Sequence, residues 1–244
     1  MGRAEVIDLS IDDFVGAALA AARFIINKEV SRMGDYENYL NDRDINMMLD
    51  NVNAMNKGIF AGCHGRYHTM FVVNTAEYIL KSLSYDSRTV ELGKIAALLH
   101  DIGNMAGRRN HARKSAALAA VFLDDTAQFL PEEKDMIVQA IEDHSEGNNI
   151  SSVIGAALLI ADKADISKRR ILPLETMDDW HKNLLEIEDV NINVSDKLIT
   201  INYITTEAFS KTLLAEAHEK YYDMPIKAAE FLGCTCRFQF HGKS

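Results

Sequence analysis

The hydrophobic and polar positions along this chain form a succession of helical stripes that gives way, past Pro173, to strand-like alternation. Ser10-Ile11-Asp12-Asp13 resembles a capping box with Asp in place of Glu. Phe14, Ala17, Ala18, Ala21, Ile25 and Val30 then keep helical spacing, and Gly34 closes this first helix. Ile45, Met48, Leu49, Val52 and Met55 predict a second helix from about Asp44 to Lys57, ended by Gly58. After a glycine-flanked turn, Ala61 to His68, a third helix carries Val72, Val73, Ala76, Ile79 and Leu80, with His68 in its first turn. Asp86 or Ser87 caps a fourth helix through Val90, Leu92, Ile95, Ala96, Leu98 and Leu99, whose nearly continuous stripe marks it as central.

A loop from Gly103 to Asn110 leads into a fifth helix starting at His111 and passing Ser115, Ala116, Leu118, Ala119 and Phe122. Leu130-Pro131-Glu132-Glu133 starts a sixth, with proline at the first helical position and acids near the positive end of the helix dipole. It ends in Glu142-Asp143-His144-Ser145. Ser151 or Ser152 caps a seventh, from Val153 to about Lys168. The alternation in Asp189–Ser195 and Leu198–Thr206, with Ser195-Asp196-Lys197 between, reads as a β-hairpin. A last helix is expected from about Glu207 to Leu232, bent at Pro225, and the tail Gly233–Ser244 shows no strong pattern.

Charge and cysteine content narrow the function classes. The formal net charge is −10, so broad attraction to nucleic acid or an anionic membrane is not expected. A phosphate ester substrate would therefore need a local source of positive charge. Three cysteines, Cys63, Cys234 and Cys236, make no disulfide framework and fit a reducing compartment. The start of the chain lacks the basic-then-apolar layout of a signal peptide, and the apolar-rich stretch Phe14 to Ile26 is too short and interrupted to cross a bilayer. A cytoplasmic protein without a membrane partner is the expectation. The hairpin suits a homodimer contact as well as a lid.

The chemistry concentrates where buried helices turn polar. His100-Asp101 ends the apolar run of the fourth helix, and imidazole and carboxylate are both ligands for a divalent cation. The competing reading is a helix C-terminus capped by Gly103 with both side chains solvated. The other candidate ligands are His68, His111, His144 and Asp162, and most of the six lie at a helix end or next to a loop. Side chains from facing helices converge at such places, and bundles commonly build metal sites there. Asp165, one turn past Asp162, is either a partner that orients a ligand or a solvated surface acid. Arg66 is close to His68 and faces either solvent or an anion.

The ordered set His68…His100-Asp101…Asp162 resembles the HD-domain superfamily of metal-dependent phosphohydrolases, over about Gly65 to Arg170. Leu99-His100-Asp101-Ile102, His111 followed by Ala116, Ala140-Ile141…His144-Ser145 and Leu159-Ile160-Ala161-Asp162-Lys163 are similar to the bacterial HD-type hydrolases of symmetrical diadenosine tetraphosphate. One departure is Asn104, where many of those relatives carry lysine. The resemblance implies an HD-domain helical bundle, and with the alternation above the expected fold is all-α with a small β-hairpin before the last helix. The chain is read as one domain over residues 1–244, with N-terminal helices 10–58, an HD core of about 60–172, and the hairpin and helix 189–232; the N-terminal 60 residues and the hairpin region lie outside that compact subfamily. His68, His100, Asp101 and Asp162 would hold one cation, and His111 and His144, with Asp101 bridging, a second. Iron, manganese, nickel, zinc or magnesium are the ions considered. Asp101 and Asp162 would be central to catalysis, with Arg66, Lys114, Lys163 and Arg169 on a phosphorylated small molecule such as a nucleotide. The activity implied is hydrolysis of a phosphate ester or anhydride by a metal-activated water. The alternatives are a nucleotide- or metal-sensing module without turnover, and dioxygen chemistry at a di-iron site.

Overall fold

The computed structural model describes residues 35–55, 62–124, 128–145, 149–172, 177–217 and 220–242. The first predicted helix, Ser10 to Gly34, lies outside them, as does the end of the second. The helices are α1 (Asp35–Leu40), α2 (Arg43–Met55), α3 (Arg66–Ser82), α4 (Ser87–Leu99), α5 (His111–Asp124), α6 (Pro131–Asp143), α7 (Val153–Ala164), α8 (Asp179–Leu185), α9 (Lys211–Ala217) and α10 (Lys220–Phe231). Two 3-10 turns, Ile102–Ala106 and Lys168–Arg170, follow α4 and α7. The strands are β1 (Ile187–Ser195), β2 (Leu198–Thr205) and β3 (Thr235–Gly242).

The most enclosed helix is α7, not α4: every residue from Ile154 to Ala164 is buried. It packs against α3, α4, α6 and α10. The reason lies in its composition, which is apolar on all sides until Asp162, so no face can be left to solvent. The Ser152 hydroxyl caps it by accepting from the Gly155 N–H at 3.1 Å. Asp86 caps α4 in the same manner, accepting from the N–H groups of Arg88 and Thr89. Among the described residues no helix is long and apolar enough to cross a membrane.

Helix α7 stops four residues short of the expected Lys168. Asp165 leaves the helical region with φ −80° and ψ 81°, and its carbonyl accepts from the Arg170 guanidinium at 2.9 Å. That early stop changes the direction of everything behind it.

Beyond Pro173 the hairpin forms as the alternation requires: β1 pairs antiparallel with β2, Ser195 opposite Leu198. Asp196 and Lys197 both take positive φ, 51° and 61°, as the favoured two-residue turn demands. The tail is a correction. Residues 235–242 form β3, which lies parallel to β2 with Ile201 opposite Phe238 and Tyr203 opposite Phe240. Its cue was Cys236, Phe238 and Phe240 alternating with Arg237, Gln239 and His241. The expected last helix is helical over the described residues 211–217 (α9) and 220–231 (α10), beginning at Lys211 rather than Glu207. Pro225 lies inside α10. The sheet packs on the bundle through α3 and α10 and buries Ile187, Val190, Ile199, Ile201 and Tyr203.

Candidate metal centre

Five helix ends meet at one place. His68 comes from the first turn of α3, His100 and Asp101 from the end of α4, and His111 from the start of α5. His144 follows the last residue of α6, and Asp162 lies in the last turn of α7. All six side chains are buried. Helix α4 does not end on Gly103. His100 is its capping residue in helical geometry, and Gly103 sits inside the 3-10 turn that follows. Glycine is needed there for closeness. A Cβ on Gly103 would stand 2.4 Å from the Ser115 backbone nitrogen and 2.7 Å from the His111 carbonyl oxygen. The turn thus lies directly on the first turn of α5, with the Gly103 N–H donating to the Ser115 hydroxyl at 2.9 Å. This contact brings Asp101 to His111.

The far side of each ring shows what the near side is for. Nδ1 of His100 lies 2.7 Å from the Ala97 carbonyl oxygen, and Nδ1 of His144 lies 2.6 Å from that of Ile141. A carbonyl only accepts, so in the neutral rings the proton is on Nδ1 and Nε2 is a bare lone pair. Both histidines therefore satisfy a carbonyl at their helix end while aiming a ligand atom inward. His68 does the same through Nδ1 on Asp165 at 2.7 Å. The inward Nε2 atoms then face each other in pairs, His68 with His100 at 3.3 Å and His111 with His144 at 3.2 Å. At that distance either a proton is shared between the two nitrogens or a cation lies between them. Ligand atoms each about 2.1 Å from one ion stand roughly 3.0–3.4 Å apart.

Asp101 joins the two pairs. Its Oδ2 lies 3.6 Å from His68 Nε2 and 3.4 Å from His100 Nε2. Its Oδ1 lies 3.5 Å from His111 Nε2 and 3.6 Å from His144 Nε2. Asp162 Oδ1 adds a second carboxylate to the first pair, 3.2 Å from His68 and 4.0 Å from His100. Burial raises the Asp101 carboxyl, but the nearby His100 and His64 hold it well below the usual carboxylate range. Asp162 is likewise raised by burial and driven well down by Lys163, His68 and Arg170. Burial pushes His111 down to about 2 against the pull of Asp101, and lowers His144 as well. These two rings stay neutral and ready to ligate. His100 is the exception: burial opposes its charge, yet Asp101, Asp162 and the Ala97 carbonyl together raise it.

Two residues outside the predicted set belong to this place. His64 is buried with Nδ1 2.7 Å from Asp101 Oδ2. Its one sequence cue is the four-residue spacing to His68, and a ring ahead of the helix start has no periodicity to mark it. Asn104 is buried too, and its amide donates to Asp101 Oδ1 at 2.7 Å. Where many resembling proteins carry lysine, this chain has a group that orients the carboxylate.

The phosphate-binding candidates separate. Lys163 stands at the centre, its ammonium 2.6 Å from Asp162 Oδ2. Arg66 instead turns to α2, donating to Asp50 at 2.8 Å and Asn46 at 2.7 Å. Lys114 is buried, with Nζ on the Ala106 carbonyl at 2.8 Å, and it fastens the 3-10 turn. Arg169 points outward to Asp189 and stacks over Tyr67, while its neighbour Arg170 goes in. Arg170 donates to the carbonyls of Cys63 and Asp165 and lies 3.7 Å from Asp162 Oδ1. The reversal follows from the early end of α7: these arginines do not continue the helix of Asp162, as its sequence spacing implied. Asp165 is buried rather than solvated and holds His68. Asp165→Asn is expected to weaken metal affinity roughly 10–100-fold with little loss of helicity. Equilibrium dialysis with metal analysis, beside circular dichroism, checks this.

A mostly helical chain whose helix ends converge on four histidines and two aspartates, with His-Asp as a dipeptide, defines a class by fold and donor set. The HD domain family model matches residues 65–198, more than half of the chain, and the chain belongs to that family. The matched segment contains His68, His100, Asp101, His111, His144 and Asp162. Members of this family are generally metal-dependent hydrolases. An uncharacterized protein of Methanocaldococcus jannaschii, MJ1020, is 28% identical over 157 residues, which cover 55% of this chain and 60% of that relative. The chain thus spans less than two thirds of the length of the curated relative it matches.

Proposed function

We propose that this chain hydrolyses a phosphate ester or anhydride with two divalent cations held by the buried cluster, and that nucleotides are the first substrate class to test. One observation carries the reading: the two oxygens of Asp101 face two separate histidine pairs. His68, His100, Asp101 and Asp162 would hold one ion, and His111, His144 and Asp101 the other. Bound there, such ions supply a water acidified toward neutrality and positive charge for the phosphoryl oxygens. The protein's own part is orientation. Ala97, Ile141 and Asp165 fix three rings, Asn104 fixes the shared carboxylate, and burial keeps His111 and His144 unprotonated. The motif likeness to diadenosine tetraphosphate hydrolases falls around His100, His144 and Asp162. Those residues belong to the metal centre and do not read a nucleobase.

The test is metal analysis of the purified protein followed by chelation and add-back of manganese or iron, with hydrolysis of nucleotides and p-nitrophenyl phosphate as readout. Chelation is expected to abolish turnover and add-back to restore it. A protein that loads metal and turns over no phosphate ester or anhydride overturns the proposal. The same experiment has a pH signature. A ligating imidazole must give up its competing proton, and Asp101 holds the proton of His100 above the ordinary range, about 6.5. Metal affinity therefore falls as pH drops, and the decline begins above that value.

A further inference from the structure

The HD-type centre opens into a cavity of about 110 Å³ whose lining includes Asp101 and Asp162 together with Arg108, Lys163, Arg170 and Tyr221. Its size and charge speak to what enters. Pockets that enclose a whole small-molecule ligand run from about 300 Å³ upward. A space of this size admits a phosphoryl group and leaves the organic part of a substrate outside. Three basic side chains surround the opening of a protein whose net charge is −10: Arg108, Lys163 paired with Asp162 at 2.6 Å, and Arg170 held by the Cys63 and Asp165 carbonyls and 3.0 Å from His64 Nδ1.

The three bases arrive from three separate places. Arg108 follows the 3-10 turn behind Asp101 and reaches back to Asn104 Oδ1 at 3.2 Å, with its side chain 39% exposed. Lys163 lies next to Asp162 on α7, and Arg170 sits in the 3-10 turn beyond it. Tyr221 adds a wall from α10, an element outside residues 65–198, and its ring is held by stacking on Trp180 at 5.4 Å between centroids.

We infer that Arg108, Lys163 and Arg170 form a clamp for a terminal phosphoryl group, so that the substrate is a monosubstituted phosphate rather than an internal diester. This deepens the proposed phosphohydrolase reading and rests on it. A terminal phosphoryl presents three non-bridging oxygens, one for each basic side chain, whereas a diester presents two and must place a second organic group. Tyr221 lines the same cavity and narrows the room for such a group. In the reaction, water attacks phosphorus, the bond from phosphorus to the organic oxygen breaks, that oxygen gains a proton, and inorganic phosphate and an alcohol leave. The clamp donates charge-assisted hydrogen bonds to the phosphoryl oxygens before and during that step.

The test compares p-nitrophenyl phosphate with bis-p-nitrophenyl phosphate in the manganese-loaded protein and measures orthophosphate binding by titration calorimetry. The monoester is expected to have the higher kcat/KM. Arg108→Ala should raise both the KM for the monoester and the Kd for orthophosphate about tenfold, the equivalent of one charge-assisted hydrogen bond. Arg108→Lys should recover part of that loss, and Tyr221→Ala should narrow the preference for monoester over diester. Faster turnover of the diester, or unchanged KM and Kd in Arg108→Ala, overturns the clamp while leaving the phosphohydrolase reading in place. Metal-loaded protein with no turnover of either ester and no bound orthophosphate overturns both.

Discussion

Replacing Asp101 with alanine is expected to empty the centre and lower phosphohydrolase turnover at least 1000-fold. The size of the effect comes from position. Among the described residues, Asp101 is the one side chain whose oxygens face both histidine pairs, Oδ2 toward His68 and His100 and Oδ1 toward His111 and His144. Its loss therefore damages two sets of ligands together. Metal-assisted charge stabilisation contributes several kcal/mol to such a reaction, and each ~1.4 kcal/mol is tenfold in rate. Inductively coupled plasma analysis should show metal content falling with activity. Asp101→Ala with full metal and full turnover would remove the basis of the two-ion reading. His111→Ala makes the informative contrast, because it takes away one ligand of one pair and leaves the His68–His100 pair with both carboxylates.

The second large effect concerns folding. Gly103→Ala places a methyl group 2.4 Å from the Ser115 nitrogen and 2.7 Å from the His111 carbonyl. Both neighbours are backbone, which cannot swing aside as a side-chain tip can. Overpacking of this kind costs about 3 kcal/mol, and in a chain of this length it lowers Tm by roughly 6–12 °C. Thermal unfolding followed by circular dichroism measures it. Ser115→Ala, which removes only the hydrogen bond to the Gly103 N–H, should cost about 1 kcal/mol. Equal effects from the two variants would mean that the close approach is not what selects glycine. Metal affinity should also fall in Gly103→Ala, since the turn and α5 must part and carry Asp101 from His111.

How much of this was legible along the chain can be judged residue by residue. The helix starts were written in the pattern: Asp86 and Ser152 cap where capping residues stand, and Pro131 opens α6. The hairpin was legible because alternation on both sides of Ser195-Asp196-Lys197 allows one register that buries Ile199, Ile201 and Tyr203. The third strand carried the same alternation in Cys236, Phe238 and Phe240. A strand's alternation, however, does not show which strand it joins. Its partner β2 lies beyond the intervening helical stretch, and only the packed bundle brings them side by side.

The candidate ligands were readable because a polar side chain at the end of a buried helix is costly and marks itself. Histidine and aspartate recur at such ends in α4, α6 and α7. What those side chains touch was not readable, since side-chain direction advances by about 100° per helical residue and starts afresh at every break. Asp165 illustrates this. Its spacing from Asp162 places it on the helix, but it sits where the helix ends, buried against His68. The same break sends Arg169 outward and Arg170 inward.

By itself, then, the order of residues determined the helices, the hairpin and the chemical types gathered at the helix ends, because periodicity and burial cost are properties of short stretches. Tertiary structure alone decided that His64 and Asn104 reach Asp101, that Arg66 and Lys114 are occupied elsewhere, and that Tyr221 from α10 walls the cavity. Each of those contacts joins residues from different elements, and their distances are set by where helices stop and how closely a glycine lets them approach.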